Sequence, residues 1–266
     1  MDQENSTELA TSEPNQVWLM TAAGYASVGV ALSLVSLKIW AWLATDSVAM
    51  LSSLADSLLD LLASGITLVA VRVAISPADR EHRFGHGKSE GIAGLVQAVI
   101  ITGSAGYVCL RAIERLLSPS AVESPSVGIG VMLVSLVLTV SLVAFQRFVV
   151  RRTRSLAIAA DAVHYRSDVL TNLAVLAAIL LSSNWGLHIF DPLLGLLVVA
   201  LILWSVAIIV REALDVLLDR ELPENDRLRI SEIARAHPEV LGLHDLRTRS
   251  AGATKFVQFH LELDPA

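Results

Sequence analysis

The chain has 266 residues, of which 54% are hydrophobic and only 17% charged, and its formal net charge is −6. Soluble domains carry roughly 25% charged residues; with a mean hydropathy of +0.61, this chain has more apolar surface than a water-facing shell covers, which excludes a soluble enzyme. The acidic balance excludes a nucleic-acid partner, which needs a basic face, and the single Cys109 excludes a disulfide framework or thiolate cluster.

Residues 1–16 are polar and acidic, with no Lys or Arg. They lack the basic start of a signal peptide and are expected to form a disordered tail. Six apolar stretches follow, approximately Val17–Ala44, Ser47–Val71, Gly91–Leu117, Val127–Gln146, Leu156–Leu181 and Pro192–Val210. Each is near or above the roughly 20 residues that cross a bilayer. Residues 17–212 are therefore expected to form a six-helix transmembrane domain.

The basic residues give its direction, because cytoplasmic loops are enriched in Lys and Arg. Arg72, Arg80, Arg83 and Lys88 follow the second stretch, Arg147, Arg151, Arg152 and Arg154 the fourth, and Arg211 the sixth. The opposite loops, around Thr45–Asp46, Ser118–Ser126 and Ser182–Asp191, carry none. Six spans with both termini cytoplasmic satisfy this pattern; Arg111 and Arg115 run against it, with Glu114 as a partial offset.

Residues 213–266 turn soluble in composition. A helix is expected over Pro223–His237 and two strands over Val240–Arg249 and Lys255–Leu263, the second alternating polar and apolar side chains with a period of two. The predicted fold class is thus an all-α polytopic membrane protein with a small C-terminal α+β cytoplasmic domain, helix-strand-strand. That module is too small to hold a good core and is expected to pair with a second copy.

Ionisable residues inside a span are expensive and mark a pathway or site. The second span holds Asp56 and Asp60; the fifth holds Asp161, His164, Arg166 and Asp168. Asp56/Asp60 and His164/Asp168 share the i, i+4 spacing that puts two side chains on one helix face. Counting about 1.5 Å per residue from the cytoplasmic ends places Asp60 and Asp168 roughly 16 and 18 Å deep, so antiparallel spans bring the two pairs together. Three carboxylates and one imidazole suit tetrahedral Zn²⁺. The absence of sulfur disfavours Cu(I), while Fe²⁺, Cd²⁺, Co²⁺ and Mn²⁺ stay open. Without a cation, repulsion and desolvation disfavour three ionised acids, so protons are expected to replace the metal. The competing reading is structural ion pairing, Asp161 with Arg166 or Asp168 with Lys38.

Asp79, His82 and His86, in the loop between spans two and three, form either a three-ligand metal site or a solvated polar loop. Gly85-His-Gly-Lys-Ser is not a phosphate loop, because His82 stands where its first glycine is needed. His244 and His260 fall on the two predicted strands and can share a metal if those strands pair; otherwise they are surface residues. His188 and His237 form no pattern, and Cys109 is expected to serve packing.

The motifs Asp-Ser-Leu-Leu-Asp at 56–60, Pro-Ala-Asp-Arg-Glu-His-Arg-Phe-Gly-His-Gly-Lys-Ser-Glu at 77–90, Gln-Arg-Phe-Val-Val-Arg-Arg-Thr at 146–153, His-Tyr-Arg-Ser-Asp at 164–168 and His-Asp-Leu-Arg-Thr-Arg at 244–249 resemble the cation diffusion facilitator family. The likeness runs from about Trp18 to Leu263 and is nearest to the bacterial ferrous-iron/zinc efflux members. It implies a homodimeric multi-pass exporter in the cell's inner membrane that exchanges a cytoplasmic divalent cation for a proton. It implies Asp56, Asp60, His164 and Asp168 as the transport site, Asp79, His82 and His86 as a loop site, and His244 and His260 as part of a binuclear cytoplasmic site. It also places a charged interlock on Lys88 and Asp219. Zn²⁺, or Fe²⁺ or Cd²⁺, is implied as substrate and structural ion, with no organic cofactor. The family pattern continues past the second strand with a further helix and strand, whereas this sequence ends at Asp264-Pro265-Ala266. The domain is therefore expected to be a truncated ferredoxin-like fold and the cytoplasmic site incomplete.

Two other classes compete. An intramembrane metalloenzyme would commonly carry His-Glu-x-x-His, which is absent, and a four-ligand site leaves no place for a catalytic water. A passive cation channel would pass ions down their gradient without proton coupling.

Overall fold

A computed structural model describes residues 14–45, 48–117, 126–185, 190–252 and 254–263. Six long helices come first: α1 (Pro14–Thr45), α2 (Val48–Ala74), α3 (Ser89–Leu117), α4 (Ser126–Thr153), α5 (Leu156–Trp185) and α6 (Phe190–Leu217). They run 27 to 32 residues, more than the roughly 20 that the hydrocarbon core requires. Five of them, all but α5, are long and apolar enough to cross a membrane. α5 has the same length but carries Asp161, Arg166 and Asp168 in its first half. Leu62, Val99, Val137 and Trp204 each stand more than 60% exposed, an outer surface suited to lipid rather than water.

Several boundaries differ from the apolar pattern. α1 begins at Pro14, so residues 14–16 are helical rather than part of a tail; a proline is at home in the first helical turn, where its missing N–H costs nothing. Residues 1–13 lie outside the described residues, as do the loops 46–47, 118–125 and 186–189 and the end 264–266. α4 and α6 run a full turn or more past their apolar cores, to Thr153 and Leu217, because the hydrogen-bond ladder continues into the polar zone where Arg151 and Arg152 face water.

The bundle closes through small residues. Met20, Ala23, Val71, Ala93, Val149, Ala157 and Ile158 form one buried cluster near the α2–α3 loop. Ala98, Ile101, Ala105, Val198, Val199, Ile202 and Val206 join α3 to α6 in another, with Cys109 packed against its edge. At Gly91 an added Cβ would sit 3.3 Å from Ala213 O and 3.1 Å from Leu217 Cγ, so a larger side chain would push the two helices apart. Without a hydrophobic drive between helices in lipid, such close approach is what holds them together.

Past α6 come α7 (Glu224–Arg235), β1 (Val240–Ala251) and β2 (Thr254–Leu263). The two strands pair antiparallel, with His244 opposite His260 and a bulge between His244 and Arg247 where Asp245 takes φ 51°. The module docks on the α2–α3 loop. Gly87 lies so close to the β1–β2 turn that a Cβ there would be 2.2 Å from Ala251 O. Arg249 lies over the rings of Phe84 and Phe256, 4.4 and 5.0 Å from their centroids.

Candidate metal transport site

The i, i+4 pairs of α2 and α5 face each other inside the bundle. His164 Nε2 lies 3.0 Å from Asp60 Oδ1; the imidazole is buried and the Asp60 side chain half-buried. Asp60, His164 and Asp168 each offer a ligand atom within 4.8 Å of the others. Asp56 lies one turn along α2, outside this cluster but lining the same cavity. The cavity encloses about 550 Å³ and collects polar side chains from α1 (Lys38), α3 (Ser104), α4 (Thr139) and α5 (Asn172). Asp168 Oδ2 is buried with no hydrogen-bond partner among the described residues. A buried carboxylate oxygen with a free lone pair beside an imidazole and a second acid suits a cation. The donor set is oxygen and nitrogen only, as a borderline or hard dication prefers.

The competing ion pairs do not form. Asp161 accepts hydrogen bonds from Ser27 Oγ (2.5 Å) and Gln146 Nε2 (2.6 Å), while Arg166 points to the exposed side of α5. Lys38 donates to Ser53 O (3.0 Å) and Ser57 Oγ (2.6 Å) on α2. The Asp161 carboxylate anchors a wider network. Ser27 Oγ lies 2.9 Å from Ser64 Oγ, which lies 2.8 Å from Tyr165 Oη. Gln97 Nε2 donates to Ala63 O and Thr67 Oγ1, both at 2.9 Å. Residues of α1, α2, α3, α4 and α5 therefore meet on the module side of His164. The cavity lies on the other side, among residues 34–38, 53–60, 101–108 and 164–172. Closer to the module, Glu90 of α3 accepts from Leu156 N (2.6 Å) and Ser155 Oγ (3.0 Å), capping the N-terminus of α5 with a carboxylate. None of these second contacts is periodic in sequence; polar residues inside apolar spans (Ser27, Gln97, Gln146) are the available signal.

Asp79, His82 and His86 also come together, each with a ligand atom within 4.8 Å of the rest. Asp79 Oδ1 lies 3.2 Å from His82 Nδ1, Asp79 Oδ2 lies 3.3 Å from His86 Nε2, and the two imidazole centroids are 4.6 Å apart. The backbone N–H groups of His82 and Glu81 donate to Asp79 Oδ1 and, with the His82 ring, hold its carboxyl below the usual range. The segment is a folded turn with a defined donor set rather than a loose loop.

In the module, His244 and His260 are direct cross-strand partners in the register. His244 Nε2 lies 3.3 Å from Glu262 Oε1, a carboxylate that strand alternation alone did not single out. Lys88 Nζ lies 3.0 Å from Asp219 Oδ2, and Arg249 Nη1 lies 3.3 Å from the same carboxylate. Lys88 holds the Asp219 carboxyl below its usual range. His237 Nδ1 accepts from Glu239 N at the end of α7, and His188 lies outside the described residues. Arg111 is paired with Glu114 at 3.0 Å.

Comparison with known proteins follows the same division. Residues 24–218 match the sequence profile of the cation efflux transmembrane domain, and residues 222–266 that of the cation efflux protein cytoplasmic domain. The chain is 46% identical over 246 residues to the cation-efflux pump FieF of Salmonella arizonae, covering 92% of this chain and 82% of that protein. It is 47% identical, with the same coverage, to the cation-efflux pump FieF of Cronobacter sakazakii. The FieF of Yersinia enterocolitica is 46% identical over 252 residues, 95% of this chain and 84% of its own length. The chain is a multi-pass membrane protein that belongs to the cation efflux family, the cation diffusion facilitators, whose members are transporters and not enzymes.

Proposed function

We propose that this protein exports divalent transition-metal cations from the cytoplasm, Zn²⁺ and also Fe²⁺ or Cd²⁺, in exchange for protons. Asp60, His164 and Asp168 grip the ion, and Asp56 completes the tetrahedral set when the outer half of α2 closes on it. The observation that carries this reading is the Asp60/His164/Asp168 cluster with the unpartnered Asp168 Oδ2, inside a polar cavity within an apolar bundle. The names of the relatives, cation-efflux pumps, support it.

Coupling follows from ligand chemistry. Metal binds the neutral imidazole and the ionised acids, so it must displace protons, and protons arriving from the other side compete for the same lone pairs. A charge moving through a 100 mV potential gains about 2.3 kcal/mol, enough to bias such a cycle. With the polar network closed on the module side and the cavity on the other, the described conformation suits release away from the cytoplasm. The basic loops near the module support an inner-membrane protein with both termini cytoplasmic.

The loop triad and the His244/His260 pair are proposed as structural metal sites. The exposed Leu241, Val257 and Leu261 on a lone two-stranded sheet support pairing of two copies through the module. Zinc flux into proteoliposomes tests the central reading. Asp168→Ala is expected to lower flux at least about a hundredfold in a protein that still folds, since loss of even a ligand's supporting contact costs about 10–100-fold. Wild-type flux in that variant would refute the site, and flux indifferent to collapse of the pH gradient would refute exchange.

A further inference from the structure

Lys38 sits about seven residues from the outer end of α1, lining the same cavity as Asp56, Asp60 and Asp168. Its amine reaches across to α2, donating to Ser53 O at 3.0 Å and Ser57 Oγ at 2.6 Å. Ser57 lies between Asp56 and Asp60 on that helix. These two bonds pin the amine beside the acidic face without pairing it to any one carboxylate. An ammonium has three N–H donors, so one remains for the cavity.

A charged side chain is costly at this depth, and two hydrogen bonds to neutral groups do not require one; an amide would make them more cheaply. What the charge changes is the electrostatic balance of the cavity. Three carboxylates alone hold a dication with a negative charge left over. With Lys38 present, the remaining charge is matched by one dication. A fixed positive charge also repels the bound ion directly, and beside a side chain as buried as His164 that repulsion is screened less than in water.

We propose that Lys38 is the tethered counter-charge of the transport site, a positioning residue that weakens the hold on the dication so that it leaves within a turnover. This inference rests on the reading of Asp60, His164 and Asp168 as the transport site. Binding energy that holds substrate too firmly slows the cycle, so removing Lys38 lowers both KM and the maximal rate.

The test is zinc flux in proteoliposomes with Lys38→Met, Lys38→Gln and Lys38→Arg, beside wild type and Asp168→Ala. Met and Gln are expected to lower KM about tenfold and to lower the maximal rate with it, while Arg stays within about threefold of wild type. A residue that only fastened α1 to α2 would not tighten binding when lost. An unchanged or raised KM in the Met and Gln variants would therefore overturn the proposal, as would their recovery only as unfolded protein. If wild type carries no zinc, or Asp168→Ala carries it normally, the transport-site reading itself has failed. If those controls behave and the Lys38 series does not, only the counter-charge has failed.

Discussion

Asp161 shares with Glu90 the deepest burial of any acid described in the bundle, 1% exposed, and it has no cationic partner among the described residues. Its Oδ2 receives the 2.5 Å bond from Ser27 and the 2.6 Å bond from Gln146, tying α5 to α1 and α4. Asp161→Ala removes both, leaving the buried Gln146 amide without this acceptor and Ser27 with Ser64 Oγ alone. Interhelical hydrogen bonds in membrane bundles contribute about 0.6 kcal/mol on average and up to about 1.7, and charge-assisted bonds are roughly twice as strong as neutral ones. Two such bonds plus the small void come to about 2–3 kcal/mol. Asp161→Asn keeps the volume, and with its amide oxygen at the Oδ2 position it still accepts from both Ser27 and Gln146. Its new N–H₂ group takes the Oδ1 position, where only the long 3.5 Å contact from Gln97 Nε2 is lost. The asparagine variant is therefore expected to cost about 1 kcal/mol or less. Unfolding of the detergent-solubilised protein by increasing SDS, followed by fluorescence of its five tryptophans, measures both. An alanine variant as stable as wild type, or an asparagine variant as weak as alanine, would show that the network does not hold the bundle as described.

Two further outcomes concern the docking of the module. Gly87→Ala places a Cβ 2.2 Å from Ala251 O and 2.6 Å from Ala251 C, backbone atoms that cannot yield without moving the turn. It is expected to detach the module from the α2–α3 loop, read as faster proteolysis around Gly252 with helical content unchanged; a cleavage rate equal to wild type would contradict it. Asp219 titrates below its ordinary 3.8 because Lys88 and Arg249 favour its charged form. A depressed carboxyl stabilises the docked form above the free-chain value and loses that contribution as pH falls through the lower, docked value. The distance between spin labels at Arg83 and Lys255 is expected to stay constant from pH 7 to pH 5 and to lengthen only below about 4. Separation already at pH 5–6 would mean that another group holds the contact.

The two i, i+4 pairs were legible in the sequence because helix geometry turns a spacing into a shared face, and an apolar background makes each acid conspicuous. The strands were legible for the same kind of reason, the second by its period of two, whereas the placing of His244 opposite His260 came only with the pairing itself. Helix ends were less legible. Hydropathy stops at the lipid boundary while the backbone ladder does not, hence α1 starting at Pro14 and α6 running to Leu217. The contacts around Asp161 could not be read at all, since Ser27, Gln97 and Gln146 lie 134, 64 and 15 residues away. Only packing decides which of many Ser and Gln residues meet one carboxylate. The alternative that paired Lys38 with Asp168 gave way to Ser53 and Ser57, contacts no spacing announces.

Asp161 and Asp168 show why composition alone cannot separate a structural acid from a ligand. They lie two turns apart on one helix, within the same run of small and apolar residues, and each is buried by its neighbours. Asp161 Oδ2 is met by a hydroxyl and an amide at 2.5 and 2.6 Å; Asp168 Oδ2 has no hydrogen-bond partner among the described residues. A buried acceptor without a donor costs free energy in every conformation that leaves it so. Asp168 recovers that cost when a group in the cavity meets it, and the nearby imidazole of His164 and carboxylate of Asp60 suit a cation. The satisfied acid fastens α5 to its neighbours, and the unsatisfied one is the acid on the same helix that the proposed function assigns to the metal.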